Sequence, residues 1–331
     1  MKLEVEALAE EILTGNRRAL AQAITLIEST RSDHRELAAR LIENLLPHSG
    51  QSIRLGISGV PGVGKSTFIE ALGNHVIDAG HRVAVLSVDP SSVVSGGSIL
   101  GDKTRMETLS RRSEAFIRPS PSGTTLGGVT RRSRETLILC EAAGYDVVMV
   151  ETVGVGQSET QVSEMTDMFL LLLLPGAGDE LQGIKRGIME LADLVLINKA
   201  DDDLLPLADR AASEYNNAIR LLHPANSLDW TVPVLTCSAR DGLGLDTAWN
   251  SVMQHRQMLN DTGQIATRRA HQARNWMWTE IKDSLVETFQ NNNEVRGMIA
   301  ELESATSQGT ISPAAAAQQL LDVFLNNKQS D

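Results

Sequence analysis

The chain has 331 residues, 42% of them hydrophobic and only 3% aromatic, and its 42 acidic and 30 basic side chains give a formal net charge of −12. The hydrophobic fraction supports a buried core and excludes a disordered chain, while the few aromatic rings argue against a stacking platform for single-stranded nucleic acid. Because an acidic surface repels phosphate backbones and anionic membranes, a phosphate ligand would require a dedicated local site.

The cysteines indicate the redox state of the protein's compartment, and the length of the apolar runs indicates whether the chain crosses a membrane. Cys140 and Cys237, the only cysteines, lie in or beside apolar stretches, which predicts two core residues, no disulfide and a reducing cytoplasm. The acidic N-terminal sequence lacks the pattern of a signal peptide. The most apolar run, Met168–Leu174, is too short for a bilayer, which requires about 20 residues, and is expected to be a strand buried on both faces.

Three zones follow one another along the chain and predict an α/β domain with helical extensions. Residues 1–50 show helical periodicity, residues 51–255 alternate short aliphatic runs with longer helical stretches, and residues 256–331 are again polar and helical. The alternation predicts a mostly parallel sheet flanked by helices. The predicted strands are Ile53–Ser58, Val83–Val88, Ala115–Ile117, Val147–Val150, Met168–Leu174, Leu194–Ile197 and Val232–Thr236. For the two helical zones, partner or dimer contacts and simple cover of the central domain both remain open.

A glycine-rich segment after the first strand carries the strongest chemical signal. It matches G-x-x-x-x-G-K-[ST] between a predicted strand and a predicted helix, which is the context of a P-loop. Its backbone N–H groups and the helix N-terminus surround phosphates, Lys65 reaches the β/γ-phosphates as a catalytic cation, and Ser66 ligates Mg²⁺. A glycine-rich turn that merely resembles the motif is the alternative. The nucleotide-binding residues predicted here are Gly59, Pro61, Gly62, Val63, Gly64, Lys65, Ser66 and Thr67.

Two segments after the second strand are candidates for metal binding and switching. Asp89 ends that strand at the carboxyl edge of the predicted sheet, where ligands bind, so we assign it to Mg²⁺; a turn or capping role is the alternative. The glycine-rich stretch 96–105 is typical of a mobile switch loop. Within it, Asp102 is a further Mg²⁺ candidate, and Lys103 and Arg105 are predicted to contact phosphate or a partner, with solvated charges as the alternative.

The segment after the fourth strand stands where GTPases place D-x-x-G. Here the acid is Glu151, one methylene longer than aspartate, and we predict it to lie near Mg²⁺ or the attacking water, with Gly154 N–H sensing the γ-phosphate. In the Ras pattern a water-orienting glutamine follows this glycine at once, whereas Val155 follows here and the first glutamine is Gln157. The sequence therefore predicts slow intrinsic hydrolysis that depends on a partner or a rearrangement.

The loop after the leucine run is a candidate third switch. Asp179 is predicted to cap a following helix, because it precedes a helical pattern in a flexible G-x-G loop. Gln182 belongs to the same predicted switch or partner segment, and Lys185 is the candidate for completing the catalytic site.

Two segments near the last strands indicate which nucleotide base is bound. Asn198, Lys199 and Asp201 form N-K-x-D at a strand end, and the Asp201 carboxylate can accept hydrogen bonds from guanine N1–H and the 2-amino group. Adenine lacks both donors, so a buried carboxylate would be left unpaired, at a large cost. Ser238 and Ala239 follow the last strand and match the loop whose backbone N–H contacts guanine O6. These ordered motifs predict GTP rather than ATP.

Taken in order, seven segments resemble the MeaB/ArgK group of P-loop GTPases. They are GVPGVGKS, VDPSS, GGSILGDKTRM, FIRPS, ETVGVGQSE, PGAGDELQGIK and NKAD. The likeness runs across about residues 1–290 and is dense from 54 to 200, whereas the last forty residues match in character only. GGSILGDKTRM and ETVGVGQSE are far more specific than the generic phosphate loop.

The resemblance implies a homodimeric GTPase that uses GTP/GDP and Mg²⁺ and acts as a chaperone for the adenosylcobalamin-dependent methylmalonyl-CoA mutase or a related acyl-CoA mutase. It implies gating of cofactor loading and protection of the mutase from inactivation. By resemblance, Mg²⁺ and switch roles fall on Ser66, Asp89, Asp102 and Glu151, and base recognition falls on Asn198, Lys199 and Asp201. The implied switch loops are about 91–108, 154–165 and 175–188.

Three other functions remain as alternatives. A P-loop phosphotransferase would require a substrate pocket with a base and cationic clamps. A transport-associated ATPase or kinase is opposed by the N-K-x-D motif, and we expect no transmembrane segment. A nickel-inserting GTPase should show His or Cys metal ligands, yet the seven histidines lack metal-ligand spacing and no CxxC is present. Contact with nucleic acid or a membrane is not expected.

Overall fold

A computed structural model describes residues 2–29, 31–88, 106–119, 126–152, 158–176, 186–222 and 230–327. The chain divides into two compact units, Met1–Gln272 and Ala273–Asp331. The first unit contains the sheet and is built from strands alternating with helices, as the sequence predicts. The finer boundaries of 1–50, 51–255 and 256–331 stay predictions.

Seven strands form one parallel sheet in the order β3-β2-β4-β1-β5-β6-β7. Each lies on one of the predicted aliphatic runs, because a strand covered on both faces consists of continuous apolar residues. β1 lies at the centre between β4 and β5, so the loop after β1 opens in the middle of the carboxyl edge. The strands are β1 (Ile53–Gly59), β2 (Val83–Val88), β3 (Ala115–Arg118), β4 (Val147–Thr152), β5 (Met168–Leu173), β6 (Leu194–Ile197) and β7 (Val234–Thr236).

Thirteen α-helices are present in the described part of the chain. The N-terminal helices are α1 (Lys2–Leu13), α2 (Arg17–Glu28) and α3 (Ser32–Leu45). The helices between strands are α4 (Lys65–Asp78), α5 (Glu107–Ser110), α6 (Leu126–Ala142), α7 (Ser158–Ser163), α8 (Arg186–Met189) and α9 (Leu205–Leu222). The last helices are α10 (Leu245–Asp261), α11 (Gln264–Asn291), α12 (Asn293–Ser307) and α13 (Pro313–Asn327).

Alternate residues of the strands face two different cores. Leu55 and Ile57 of β1 pack with Phe68 and Leu72 of α4, on the face that carries the phosphate loop helix. The opposite face packs against the N-terminal helices: Leu20 and Ile24 of α2 share a buried cluster with β2, β4 and α6. The N-terminal helices therefore cover one face of the sheet, and partner or dimer contacts of this zone stay a prediction.

The second unit consists of most of α11, from Ala273 onward, together with α12 and α13. Phe289 and Phe324 meet edge to face with ring centroids 5.3 Å apart, and Val295 is fully buried. Asn292 caps α12 by accepting hydrogen bonds from the N–H groups of Glu294 and Val295. Several large hydrophobic side chains of α11 are exposed, among them Trp278 and Leu285.

None of the helices in the described ranges has the length and apolar character that a bilayer crossing requires. Cys140 and Cys237 are both free and buried, as predicted. Burial raises the pKa of the Cys237 thiol to about 12, so this thiol is unreactive near neutral pH.

A buried ion network joins distant segments at the amino edge of the sheet. Asp167, only 3% exposed, accepts hydrogen bonds from Arg269 Nε and Nη2 at 2.8 and 2.6 Å. Arg256 also contacts Asp167, at 3.2 Å, and Arg54 donates its backbone N–H to the same carboxylate. Arg269 further donates to the carbonyl oxygen atoms of Gly50 and Ser52. The first turns of α11 are therefore attached to the start of β1 and to the turn before β5.

We expect the free energy of unfolding to fall as the pH drops below about 4. Burial alone would raise the pKa of Asp167, but the hydrogen bond and charge of Arg269 hold this pKa below its usual 3.8. The unfolded chain therefore takes up the proton first on acidification. The stabilisation is complete above the ordinary pKa and is lost as the pH falls through the folded value. Urea unfolding over a pH series from neutral to acid measures this dependence.

Asp167→Asn isolates the contribution of this carboxylate. At neutral pH the variant should lose about 3–5 kcal/mol of stability, because it leaves buried guanidinium groups without their counter-charge. Its stability should also depend less on pH than that of the wild-type chain. Asp33→Asn is the control, since Asp33 pairs with Arg31 on the surface and should contribute little. Equal pH profiles for wild type and Asp167→Asn would contradict the assignment.

Candidate functional site

The phosphate loop forms the turn between β1 and α4 at the centre of the sheet. Gly64 adopts φ +93° directly before the helix, a left-handed conformation that favours glycine. Gly59 has almost no space for a side chain, because an added Cβ would lie 2.5 Å from the carbonyl oxygen of Leu172. The two glycines are thus required for different reasons, one by conformation and one by the close approach of β5.

Lys65 lies at the first position of α4 and is buried. Its Nζ donates a hydrogen bond to the carbonyl oxygen of Gly59 at 2.8 Å and contacts that of Val60 at 3.4 Å. Burial lowers the pKa of the Lys65 ammonium, while the negative charges of Glu151 and Glu159 act in the opposite direction. The loop carbonyls therefore hold a partly dehydrated cation beside the glycine turn.

Three oxygen-bearing side chains are suited to a hard cation: Ser66 and Glu151, which are in contact at the start of α4, and Ser87, which neighbours Glu151 in the sheet. The Ser66 hydroxyl donates to Glu151 Oε1 at 3.3 Å. Ser87 of β2 is the register partner of Glu151 on β4 and shares its face of the sheet, and the buried Ser87 hydroxyl has no hydrogen-bond partner. Magnesium prefers carboxylate, hydroxyl and water oxygens. Buried hydroxyl groups without a hydrogen-bond partner are uncommon. The Ser87 hydroxyl therefore fits a site in which a hydrated ion supplies the partner.

The predicted base motif lies on the loop after β6, against the phosphate loop. Asn198 is buried; its Nδ2 donates to the Val63 carbonyl at 2.8 Å, and its Oδ1 accepts from Ala239 N–H at 3.1 Å. The amide side chain therefore joins three loops that are far apart in sequence. Lys199 has φ 59°, the only positive φ of a non-glycine residue among those described. Such strain is typical of functional positions.

Asp201 is held near the mouth of the site by a residue that the sequence analysis did not select. Arg240 Nη2 lies 3.4 Å from Asp201 Oδ2, and the same guanidinium pairs with Asp241. Arg240 directly follows the Ser238–Ala239 pair, so its place in the motif was the signal that could have found it. Ser238 itself is fully buried and lies within hydrogen-bond distance of Asp241.

One cavity of about 320 Å³ connects the phosphate loop with the base motif. Its volume lies at the lower end of the range typical for ligand sites. The lining residues are Gly64, Thr67, Asn198, Lys199, Asp201, Ala239 and Arg240. The fold thus brings together, in one cavity, residues that the sequence analysis assigned separately to phosphate and to base.

Several predicted residues lie outside the described ranges, and their roles stay predictions. They are Asp89, Asp102, Lys103, Arg105, Gly154, Gln157, Asp179, Gln182 and Lys185. Within the described ranges no group of three or more His, Cys, Asp or Glu side chains is arranged to hold a metal ion.

Two further buried residues near this edge were also missed. Glu159, in the first turn of α7, is only 5% exposed, and its negative charge acts to raise the pKa of Lys65. Thr152, at the end of β4, donates from Oγ1 to Ser58 Oγ at 2.9 Å and links the ends of two strands. Glu159 belongs to the ETVGVGQSE segment, so proximity to the predicted switch could have marked it.

Several known proteins are similar to this chain over nearly its whole length. A family model described as methylmalonyl Co-A mutase-associated GTPase MeaB matches residues 20–294. A Caulobacter vibrioides protein named as a putative GTPase is 54% identical, over 97% of this chain and 98% of its own length. A mouse protein named methylmalonic aciduria type A homolog, mitochondrial, is 46% identical over 97% of this chain and 79% of its own length.

Among solved structures, one described as a LAO/AO transport system kinase has a similar fold. Its TM-score is 0.77 at 36% identity, and the match covers 98% of this chain and 99% of that chain. The phosphate loop, the base motif and the seven-stranded sheet therefore occur here in a chain that has near full-length relatives.

Proposed function

The chain belongs to the family of methylmalonyl-CoA mutase-associated GTPases, MeaB, and from that premise we propose that it uses GTP hydrolysis to serve an acyl-CoA mutase that depends on adenosylcobalamin. It is a GTPase, as its relatives are named. The proposed role is to gate cofactor loading and to protect the mutase. The proposed location is a reducing cytoplasm, which suits two free and buried cysteines.

The observation that carries the nucleotide assignment is the single cavity shared by Gly64, Thr67, Asn198 and Asp201. We assign the phosphates to the loop of residues 59–67 and the guanine to Asn198, Lys199, Asp201, Ser238 and Ala239. A carboxylate at Asp201 would accept two hydrogen bonds from guanine, and Arg240 pairs with this carboxylate at 3.4 Å. Adenine would leave that carboxylate unpaired, which supports GTP as the substrate.

Lys65 and Glu151 are the proposed catalytic groups among the described residues. The Lys65 ammonium contacts two carbonyl oxygens of the loop, which bind a cation more weakly than a phosphate dianion does. We therefore propose that Lys65 leaves these carbonyls and binds the β/γ-phosphates when the nucleotide is present. There it stabilises the charge that develops on the transferred phosphoryl group. Lys185 remains the proposed residue that completes this site.

The oxygen-bearing side chains of the site fit Mg²⁺, which would supply positive charge to neutralise the phosphates. Ser66, Asp89, Asp102 and Glu151 are the residues we propose to hold it, and the hydroxyl of Ser87 lies beside Glu151. Glu151 keeps the Ser66 hydroxyl oriented at 3.3 Å. With a valine directly after Gly154, the chain offers no glutamine at the Ras position, so slow intrinsic hydrolysis is proposed.

Partner contacts are proposed for the helical region 256–331 and for the segments around Lys103, Arg105, Gln157, Asp179 and Gln182. The exposed apolar side chains of α11, among them Trp278 and Leu285, support an interface there, because clustered apolar exposure marks interaction sites. A homodimer through this region is part of the proposal.

GTP turnover with and without purified methylmalonyl-CoA mutase tests the function. We expect a slow rate with GTP alone, a rise of about tenfold or more with the mutase, and no turnover of ATP. The Lys65→Ala variant is the matched control, since it should remain inactive with the mutase present. A fast GTP rate that ignores the mutase would overturn the chaperone role and favour transfer to a small-molecule acceptor. Consumption of ATP would overturn the base assignment.

A further inference from the structure

Helix α7 extends from the edge of the nucleotide site toward the opposite edge of the sheet. It begins at Ser158, immediately after the segment that we assign to γ-phosphate sensing. The buried carboxylate of Glu159, in the first turn of α7, favours the charged form of Lys65. The position of α7 therefore bears on the electrostatics of the phosphate site.

The body of α7 packs directly on the central strand. An added Cβ at Gly56 of β1 would lie 2.9 Å from Val162 Cγ1 and 2.8 Å from Thr166 Oγ1. Only glycine at this point of β1 lets the helix and its following turn approach so closely. A small shift of α7 is therefore transmitted to the strand that carries the phosphate loop, because packed interiors have little free space.

The carboxyl end of α7 is closed by a side chain from another helix. Gln272 of α11 donates its Nε2 hydrogens to the carbonyl oxygen of Thr166 at 2.8 Å and to that of Ser163 at 3.4 Å. The Thr166 hydroxyl donates to the Val162 carbonyl at 2.8 Å. Ser163 is the last residue of α7 and Thr166 lies in the turn that follows it, so Gln272 links the end of the helix and this turn to α11.

The two ends of the Gln272 amide have unequal environments. The buried Oε1 atom has no hydrogen-bond partner, whereas Nε2 contacts two carbonyl oxygens. Two acceptors facing one amide require its NH₂ group on that side, which fixes the orientation of the amide. The side chain is thus used only as a donor. Arg269, one turn earlier in α11, holds the register through its paired bonds to Asp167.

We propose that Gln272 is a positioning residue for GTP hydrolysis, which sets the placement of α7 and of Glu159 by donating to the last carbonyl of that helix and to a carbonyl of the turn after it. The proposal rests on the proposed function, because it takes residues 151–159 as the γ-phosphate-responsive segment. It adds that a residue of α11, more than a hundred positions later in the chain, controls how α7 is held.

Three variants separate the donor from the volume of the side chain. Gln272→Glu keeps the shape, removes both donors and places a negative charge against two carbonyl oxygens. Gln272→Lys keeps only a donor. Gln257→Glu is the matched control, because Gln257 is an exposed glutamine of α10 that bonds only Asp261 among the contacts described.

Gln272→Glu should lower kcat for GTP by about tenfold and leave the KM for GTP within about twofold, since the lost hydrogen bonds do not touch the bound nucleotide. Gln272→Lys should restore kcat to within about twofold of wild type, and Gln257→Glu should change neither constant. A reduced melting temperature with unchanged kcat in Gln272→Glu would overturn the proposal. Equal losses of kcat in the Glu and Lys variants would overturn it too.

Hydrogen exchange provides a readout that needs no turnover. Amides 158–167 should exchange faster in Gln272→Glu than in the wild-type chain, both without nucleotide and with a GTP analogue bound, and should be protected again in Gln272→Lys. Unchanged exchange at these amides would refute the capping role. If the wild-type chain hydrolyses no GTP, but amides 158–167 still exchange faster in Gln272→Glu than in the wild-type chain, the proposed function is refuted. The placement of α7 by Gln272 is then still supported.

Discussion

Lys65→Ala is expected to lower GTP turnover by about 10²–10³-fold, the loss typical when one preorganised donor to a transition-state charge is removed. Lys65 is the buried cation of the phosphate loop, and its Nζ already lies among loop carbonyls at 2.8 and 3.4 Å. Within the described loop of residues 59–67, Lys65 is the only cationic side chain. Single-turnover measurements with radiolabelled GTP give the rate directly.

The Lys65 prediction requires a folded variant. Alanine is a good helix former, so the first turn of α4 should persist, and removal of a dehydrated ammonium should not lower the stability greatly. Lys282→Ala is the control, because Lys282 is an exposed residue of α11. Turnover within a few-fold of wild type in Lys65→Ala would show that the glycine turn is not the phosphate site.

Asp201→Asn is expected to raise the KM for GTP by about 100-fold and to allow xanthosine triphosphate in its place. In the proposed base site, the wild-type carboxylate accepts hydrogen bonds from two guanine donors. The variant amide offers one acceptor and one donor, which matches xanthine, where a carbonyl replaces the 2-amino group. Arg240, which lies 3.4 Å from Asp201, loses a charged partner as well. Competition with a fluorescent guanine nucleotide measures the affinities.

Asp209→Asn is the control for the base site, because Asp209 is an exposed residue of α9 close in sequence. It should leave the order of preference among GTP, xanthosine triphosphate and ATP as in the wild-type chain. If Asp201→Asn still prefers GTP over ATP as strongly as the wild-type chain, the assignment of guanine to N-K-x-D is wrong.

The strands were predictable because their signal is local. A strand covered on both faces is a continuous apolar run, and each of the seven predicted runs overlaps a strand of the sheet. The last prediction, Val232–Thr236, began two residues early, since the strand starts after Pro233, which cannot donate to the ladder. The run Ala115–Ile117, the shortest, extends by one residue to Arg118.

The phosphate loop was predictable for the same reason. All its groups come from one short segment, and the conformation of that segment follows from its glycines. The base motif was recognised as a segment, but its neighbours were not. Asn198 bonds the carbonyl of Val63, and Arg240 pairs with Asp201; neither contact is implied by any spacing within one motif.

By itself the sequence determined the fold class, the strands, the phosphate loop and the base motif, because each depends on residues adjacent in the chain. The tertiary structure alone decided the order of the strands, the layer of N-terminal helices, the Asp167–Arg269 ion pair and the Gln272 cap of α7. These depend on contacts between residues tens to hundreds of positions apart. Hydrophobic periodicity carries no information about which distant polar groups will meet, since that is set by how the covered faces of the sheet pack.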